Sequence, residues 1–136
     1  MLIDSYREAF YRVSVKAIIK NSEGQVLLVK EGGDNWDLPG GGIDHGEDAS
    51  TAMRRELWEE ISVKEVLSMD MKTVVTFEVA ESERYGLWIV YDVTVGDSEF
   101  AMGHDVRAME FMDAALLTED TRSHKIIREA IFGTSA

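Results

Sequence analysis

Glu56, Glu59 and Glu60 carry the residue spacing in this sequence that is most typical of metal chemistry. If the segment is helical, positions i, i+3 and i+4 share one face, so the three carboxylates can converge on one point. Glu56 and Glu60 also fall on the apolar side of the helical wheel, which draws them toward the interior. Clustered, partly desolvated carboxylates repel one another, and a bound divalent cation offsets that repulsion. Carboxylate oxygens suit Mg²⁺ or Mn²⁺ better than zinc.

A simpler interpretation of the same residues stays open. Arg54 and Arg55 precede the glutamates, and an ordinary solvated helix face with i,i+4 ion pairs has the same composition. The glycines at 40–42, after the only proline, Pro39, are equally ambiguous. They either let backbone groups approach a metal ion or a phosphate closely, or they form a plain tight turn.

The element that must position the glutamates is a helix predicted over 48–61. Asp48 is its expected N-cap, and Ala49, Met53, Leu57 and Ile61 recur every four residues as an apolar stripe. A second amphipathic helix is predicted over 121–131. Alternating and β-branched segments predict strands at 13–19, 25–29, 36–38, 63–67, 72–79, 87–95 and 108–112. The first two are expected to form a hairpin, the turn between 72–79 and 87–95 is placed at 81–84, and the order suggests an α/β sandwich.

Composition limits the possible partners and the cellular location. The chain has 136 residues, which fits a single domain over 1–136, and it has no cysteine, which excludes disulfides and thiolate metal sites. Its 26 acidic and 14 basic residues give a net charge of −12, which argues against a nucleic-acid backbone as the main partner. No apolar run is long enough to cross a bilayer, and the first ten residues do not resemble a signal peptide. We therefore expect a cytoplasmic protein without membrane or nucleic-acid partners.

Residues 41–63 resemble the Nudix box, the signature of the MutT-like Nudix hydrolases. The segment reads GGIDHGEDASTAMRRELWEEISV, and the fixed positions of the box are matched by Gly41, Glu47, Arg55, Glu56, Glu59 and Glu60. The approach, Trp36-x-Leu38-Pro39-Gly40-Gly41, is also usual in this family. One fixed position differs, because Ser62 stands where the family has glycine. The helix end is the feature that this difference affects, since serine adopts left-handed geometry less readily than glycine.

The resemblance implies the fold and the roles of the box residues. The family fold is an α/β/α sandwich with a mixed central β-sheet. Glu59 and Glu60 match the principal metal-binding acids, Glu56 often joins them, and Gly40 matches a residue whose carbonyl binds metal. Glu47 and Arg55 match a pair that braces the box by a salt bridge, so we assign them, with Gly41, to box architecture.

An acid outside the box completes the expected catalytic set. Family members often use one in the loop before a late strand, and Asp105 is our candidate, with Asp97 and Glu99 as alternatives. The catalytic residues are therefore predicted to be Glu56, Glu59 and Asp105. The general base that takes the proton from water stays open among Glu56, Asp105 and Glu47.

The resemblance also implies a reaction, which is Mg²⁺- or Mn²⁺-dependent hydrolysis of a phosphoanhydride bond in a nucleoside diphosphate linked to another moiety. A nucleoside triphosphate or a related small nucleotide is the favoured substrate. Two alternatives stay open: a non-catalytic nucleotide sensor, which intact box acids disfavour, and an isoprenoid diphosphate isomerase, which the absence of cysteine disfavours.

Binding residues outside the box are less well defined by the sequence. Lys30 is a weaker candidate for a phosphate contact, and an exposed Trp58 suggests a homodimer contact. The aromatic side chains that can stack on a base are Tyr6, Phe10, Tyr11, Tyr85 and Trp88.

Overall fold

A computed structural model describes residues 10–79, 84–118 and 121–133. In chain order its elements are β1 (Tyr11–Ile18), β2 (Val26–Glu31), β3 (Gly40–Gly42), α1 (Ala49–Ile61), β4 (Val66–Val79), β5 (Arg84–Val95), β6 (Val106–Met112) and α2 (Arg122–Phe132), with a short 3₁₀ helix at Ala114–Leu116 before α2. Tyr6 and residues 81–83 of the predicted turn lie outside the described residues. Arg84, the last residue of that turn, begins β5.

The strands form two sheets between the two helices. One sheet has the order β3-β1-β5-β4 and is mixed, because β1 and β5 are parallel while the other pairs are antiparallel. The other sheet is the antiparallel pair of β2 and β6. One buried cluster packs around α1 and a second packs around α2. The predicted α/β fold with a mixed sheet is confirmed.

Helix α1 begins and ends where the sequence predicts. The Asp48 side chain accepts a hydrogen bond from Thr51 N, and the buried face contains Met53, Leu57 and Ile61. Ser62 adopts the left-handed conformation, with φ 60° and ψ 32°, and Val63 N donates to Leu57 O. Ser62 therefore takes the conformation that glycine usually supplies, and its Oγ donates to Ala101 O at 3.1 Å. That bond offsets part of the strain.

Several predicted strands are placed differently in the structure. The predicted hairpin forms only around its turn, where Asn21 N donates to Gln25 O, Leu27 N donates to Ile19 O, and Lys20 forms a bridge with Val26. The strands β1 and β2 themselves lie in different sheets. An alternating pattern identifies a strand but not its neighbour. The segment at 36–38 forms a single bridge through Asp37 to Val29 instead of a strand.

The glycine segment and the central strands need the same kind of correction. The irregular turn predicted at 40–42 is a three-residue strand, β3, that pairs with β1. The strands predicted at 63–67 and 72–79 belong mainly to one strand, β4, whose register shifts twice against β5, between Val66 and Ser68 and between Met71 and Thr73. Such bulges interrupt the side-chain alternation that the sequence pattern depends on.

Helix α2 agrees with its prediction. It begins after an N-cap at Thr121, and its buried side is formed by Ile126, Ile127, Ala130 and Ile131. Within the described parts of the chain, no helix has the length and apolar character needed to cross a membrane.

Candidate active site

Glu60 is the most buried acid of the predicted metal site. Only 6% of the residue is exposed, and both carboxylate oxygens lie 3.3 Å from Gly40 N, which donates to them from β3. Burial is the main factor that raises the pKa of Glu60 to about 10, and the nearby Glu31 raises it further, while Lys16 opposes the rise. This carboxylate therefore lacks sufficient compensating charge among the residues described.

Glu56 lies beside Glu60, against the glycine strand. A Cβ atom added at Gly41 would lie 2.5 Å from the Glu56 carboxylate, so only glycine leaves room for it there. The Glu56 side chain is 15% exposed, and its Oε1 accepts from Arg55 at 3.0 Å. Gly41 therefore allows the box helix to bring a carboxylate directly against the β3 backbone.

Glu59 occupies the rim of the same helix face. Its side chain is 54% exposed, and Oε2 lies 3.3 Å from the Arg55 guanidinium. The structure thus places two of the three predicted carboxylates inward and leaves the third in solvent.

Glu47 and Arg55 form the contact that the sequence predicts for them. Arg55 donates from Nε and Nη2 to the two Glu47 oxygens, both at 2.8 Å, and from Nη2 to Gly42 O at 3.1 Å. These hydrogen bonds lower the pKa of Glu47 to about 2 and raise the pKa of Arg55. The pair connects the loop before α1 to β3 and to Glu56, which is the geometry that a bracing role requires.

The donor set fits a divalent cation. Across residues 10–79, 84–118 and 121–133, no three acidic, histidine or cysteine side chains stand in a ready-made metal-binding arrangement. However, the Glu60 carboxylate is contacted by both Glu31 and Glu56, and these groups are negatively charged oxygen donors. Hard divalent cations prefer such donors, and a bound cation compensates charges that repel one another. Glu31, Glu56 and Glu60, with Glu59 at the rim, are the residues able to hold it.

The loop that carries Asp105 lies at the carboxyl end of α1. Gly103 N donates to Glu60 O at 2.7 Å, and a Cβ atom at Gly103 would overlap Glu59 O. Asp105 is exposed and directly precedes Val106, which pairs with Glu31. The loop therefore packs on the backbone of the residues that carry the carboxylates, with Asp105 exposed.

The two alternatives to Asp105 lie in the preceding segment. Asp97 accepts hydrogen bonds from Lys64 N and Glu65 N at 2.9–3.1 Å, and these bonds lower its pKa. Asp97 therefore fixes the backbone at 64–65, directly before β4. Glu99 is exposed in the same segment.

Sequence reasoning missed Glu31 and Lys16. Lys16 is 6% exposed, and its Nζ donates to Asp37 Oδ2 at 3.0 Å and to Leu38 O at 3.2 Å. Nζ also lies 4.9 Å from the centroid of the Trp88 ring. The available signal was that Lys16 is the single charged residue within the alternating segment 13–19. Glu31 gave no comparable signal, since it ends a strand next to a glycine-rich loop.

A cavity of about 220 Å³ adjoins these residues. Trp36 and Trp88 line it together with Glu31, Asp37 and the start of α2. Lys30, the predicted phosphate contact, instead lies with Nζ 4.6 Å from the Trp36 ring centroid. Of the predicted stacking residues, Trp88 alone among those described lines this cavity.

The other predicted aromatic contacts lie elsewhere. Tyr11 and Tyr85 contact each other, with centroids 5.6 Å apart, and Phe10 is 66% exposed. Trp58 is 55% exposed, as expected for the side of α1 away from the acids.

Arg12 is a further cation near the glycine strand. Its guanidinium lies on Gly42, where a Cβ atom would overlap it. The Arg12 side chain makes no ion pair or hydrogen bond to any residue in the described ranges. Gly42 therefore contacts the guanidinium groups of both Arg55 and Arg12. The N–H donors of the Arg12 guanidinium have no acceptor among the described residues, so they can bind an anion.

Comparison with known proteins gives one consistent result. The family model described as the NUDIX domain matches residues 10–131. An RNA pyrophosphohydrolase from Psychrobacter sp. (strain PRwf-1) is 50% identical over 54 residues, which is 39% of this chain and 31% of that protein. The match thus spans under a third of that relative's length.

Solved structures match over most of the chain. A MutT protein from Methanosarcina mazei Go1 has a TM-score of 0.74 and 25% identity, covering 88% of this chain and 89% of that one. A MutT NUDIX hydrolase from Burkholderia pseudomallei has a TM-score of 0.75 and 24% identity, covering 90% and 98% respectively. The second similarity shows the fold alone.

Proposed function

Because the chain belongs to the Nudix family, we propose that it hydrolyses a phosphoanhydride bond in a nucleoside triphosphate or a related small nucleotide. The observation that carries this proposal is the under-compensated carboxylate cluster of Glu31, Glu56 and Glu60 beside a tryptophan-lined cavity. One part of such a site suits a cation that binds phosphate, and the other suits a flat apolar base. The name of the Psychrobacter relative supports pyrophosphohydrolase chemistry.

The residues proposed to hold a divalent metal, Mg²⁺ or Mn²⁺, are Glu56, Glu59, Glu60 and the Gly40 backbone, together with Glu31 beside Glu60. When bound, the metal supplies neutralisation of the charged phosphate oxygens. Arg12 lies on the glycine strand with donors available for a phosphate oxygen, and the Glu47–Arg55 pair keeps the box loop against Gly42. Together these groups hold the reacting phosphate beside the buried carboxylates.

A carboxylate of the chain accepts the proton of the attacking water in this proposal. Glu47 is the weakest of the three candidates, because its two bonds to Arg55 and its pKa of about 2 leave little basicity. Glu56 and Asp105 stay as candidates, one beside Glu60 and the other on the neighbouring loop. Removing a general base lowers kcat by about 10²–10⁴-fold, so comparing Glu56→Gln with Asp105→Asn distinguishes them.

The size of the cavity bears on the substrate. A space of about 220 Å³ between Trp36 and Trp88 accommodates one base, with the triphosphate directed toward the carboxylates. This favours a mononucleotide. A second candidate is the 5′ triphosphate end of RNA, which the name of the Psychrobacter relative favours. The net charge of −12 favours contact with only the first nucleotides of such a substrate.

The test incubates the purified chain with nucleoside triphosphates, dinucleoside polyphosphates and a short 5′-triphosphorylated RNA, each with Mg²⁺ or Mn²⁺. Release of phosphate and pyrophosphate is followed for the wild type, Glu59→Gln and Glu60→Gln. Glu23→Gln, in the exposed β1–β2 turn, makes the same chemical change away from the site. Metal-dependent turnover that Glu60→Gln abolishes and Glu23→Gln retains is the expected result.

Other outcomes would replace the proposal. Tight nucleotide binding without turnover of any substrate would favour the sensor function, and conversion of an isoprenoid diphosphate would favour the isomerase. A cytoplasmic location, a single domain over the whole chain and a homodimer through Trp58 stay predictions. Sedimentation of the wild type beside Trp58→Ser tests the last of them.

A further inference from the structure

A second cavity, of about 700 Å³, lies away from the carboxylate cluster. It opens between the turn that follows β1, the last residues of β5 and the bulged part of β4. Phe111 of β6 lines it, whereas Val106, five residues earlier on β6, pairs with Glu31 of the cluster. At the rise of a strand those five residues span about 17 Å. None of the proposed catalytic residues lines this cavity.

Two lysines from separate elements converge on the second cavity. Lys20 comes from the end of β1, and Lys72 comes from β4. Met71 pairs with Tyr91 and Thr73 with Val90, so Lys72 is the extra residue of a β-bulge and has no partner on β5. Bulges re-aim side chains next to binding sites. Both lysines are exposed, and neither forms an ion pair with a residue in the described ranges.

The wall of the second cavity is aromatic. Phe100 and Phe111 stand edge to face, with ring centroids 5.9 Å apart, and both pack against the core cluster around α1. They therefore present a fixed apolar surface to the cavity. Flat aromatic ligands pack well against such a surface.

The acids of the lining have distinct positions. Asp97 also lines the cavity, but its carboxylate oxygens already accept hydrogen bonds from Lys64 N and Glu65 N. Asp92 is exposed near the end of β5, and its carboxylate has no hydrogen-bond or ion-pair partner in the described part of the chain. It is an available acceptor for an amino group on a ligand.

We propose that this cavity is a second, non-catalytic site for a nucleoside monophosphate whose base carries an amino group. The phosphate binds Lys20 and Lys72, the base packs on Phe100 and Phe111, and Asp92 accepts from the amino group. The volume lies within the usual range for small-ligand pockets, roughly 300–1,000 Å³. This assignment does not depend on the proposed hydrolysis, since it uses different residues.

The test is an NMR titration of the ¹⁵N-labelled protein with AMP, in the presence of EDTA so that metal-dependent phosphate binding at the carboxylates is suppressed. The expected result is saturable shifts at the amides of Ser22, Lys72, Thr94 and Ser98. The double variant Lys20→Gln/Lys72→Gln is expected to bind AMP at least about ten-fold more weakly, because two charge-assisted contacts to the phosphate are lost. Lys125→Gln, on α2, is the matched control and should bind like the wild type.

Three results would overturn the assignment. The first is shifts confined to residues of β3 and α1, which would place AMP in the carboxylate site. The second is equal affinity of the double variant and the wild type. The third is inorganic phosphate binding as tightly as AMP, which would mean that the cavity holds a simple anion. The ¹⁵N spectrum of each variant shows in the same experiment whether the fold is intact.

Discussion

Glu59 and Glu60 are adjacent in the chain and both match metal-binding positions of the Nudix box, but Glu60 is buried and Glu59 is exposed. Glu60 is 6% exposed and faces Gly40 N, Glu31 and Glu56, whereas the Glu59 side chain is 54% exposed, with Oε2 3.3 Å from the Arg55 guanidinium. A solvated carboxylate keeps its charge at little cost, while a buried one needs compensation from a neighbour. The buried half of the site therefore has the stronger demand for a cation.

The two basic residues of the site, Lys16 in the buried half with Glu60 and Arg55 at the rim with Glu59, also differ in burial. Lys16 is buried and contacts Asp37, Leu38 O and Trp88, while Arg55 is partly exposed and ties together the loop, β3 and three glutamates. The buried residues around Glu60 therefore determine whether a charge is stable there, whereas Arg55 at the rim fixes the position of the loop before α1. Substitutions in the two halves should consequently fail in different ways.

The largest expected effect is on activity after Glu60→Gln. The substitution keeps the shape of the side chain but removes the buried charge, so metal-dependent turnover should fall by roughly 10³-fold. Glu59→Gln should reduce turnover less, because solvent can replace part of a rim ligand. Steady-state rates and the Mn²⁺ concentration dependence measure both. Equal losses for the two variants would contradict the division into a buried half and a rim.

The same pair should differ in stability when metal is absent. Because the pKa of Glu60 rises to about 10 on folding, the metal-free protein must take up a proton at this carboxylate when it folds at neutral pH. Gln has no such cost, so metal-free Glu60→Gln should unfold at a higher denaturant concentration than the wild type. Glu59→Gln should leave the unfolding midpoint unchanged. An unstable Glu60→Gln would mean that its hydrogen bond from Gly40 N matters more than its charge.

Next in size is the loss of stability expected from Arg55→Met. The change leaves Glu47 and Glu56, both with side chains only 15% exposed, without their guanidinium partner. The free energy of unfolding should fall by about 1–3 kcal/mol, between the values for exposed and buried ion pairs. Urea unfolding measures it, with Arg54→Met, one residue away on the exposed side of α1, as the matched control. An unchanged midpoint would show that the brace is not structural.

Substituting either member of the Lys16–Asp37 ion pair should lower the free energy of unfolding, but by different amounts. Asp37→Asn leaves a lysine with a 7% exposed side chain without its ion-pair partner. Lys16→Met leaves an aspartate that is 43% exposed and still solvated, and a Glu60 whose pKa of about 10 already keeps it protonated without metal at neutral pH. We expect Asp37→Asn to cost about 1–2 kcal/mol of unfolding free energy and Lys16→Met less than about 1 kcal/mol. The double variant should resemble Lys16→Met alone. Equal single-variant losses in urea unfolding would indicate that burial does not distinguish the two charges.

Local signals in the sequence predict the box helix well and the rest of the site only in part. Asp48, the four-residue apolar stripe and the acids at i, i+3 and i+4 are all features of one helix, so α1 and the inward direction of Glu56 and Glu60 could be predicted. Glu31 and Lys16 lie on β2 and β1, and they meet Glu60 only through the tertiary fold. No local pattern contains that proximity, and strand alternation did not reveal that β1 and β2 enter different sheets.

The glycines illustrate the same limit. The sequence shows that 40–42 needs unusual backbone, but both a turn and a strand satisfy that need. The packing decides, because Gly40 has a φ of 133° and Gly41 has the Glu56 carboxylate against its Cα. Gly40 packs on Val15 of β1, and the Glu56 carboxylate comes from a helix that follows in the chain. Only the assembled structure therefore distinguishes a tight turn from a strand on which a carboxylate lies.

The smallest expected effect is on how the melting temperature depends on acidic pH, through the Glu47–Arg55 pair. The Arg55 hydrogen bonds lower the pKa of Glu47 from 4.5 to about 2 in the folded state, while the unfolded chain keeps the ordinary value. A lowered pKa in the folded state stabilises the fold above the unfolded pKa, and this stabilisation is lost as the pH falls from about 4.5 toward 2. Glu47→Gln should therefore flatten the decline of the melting temperature in that window, measured without metal. Glu23→Gln should retain the wild-type slope, and a Glu47→Gln slope equal to that of the wild type would show that the Arg55 contact does not persist in solution.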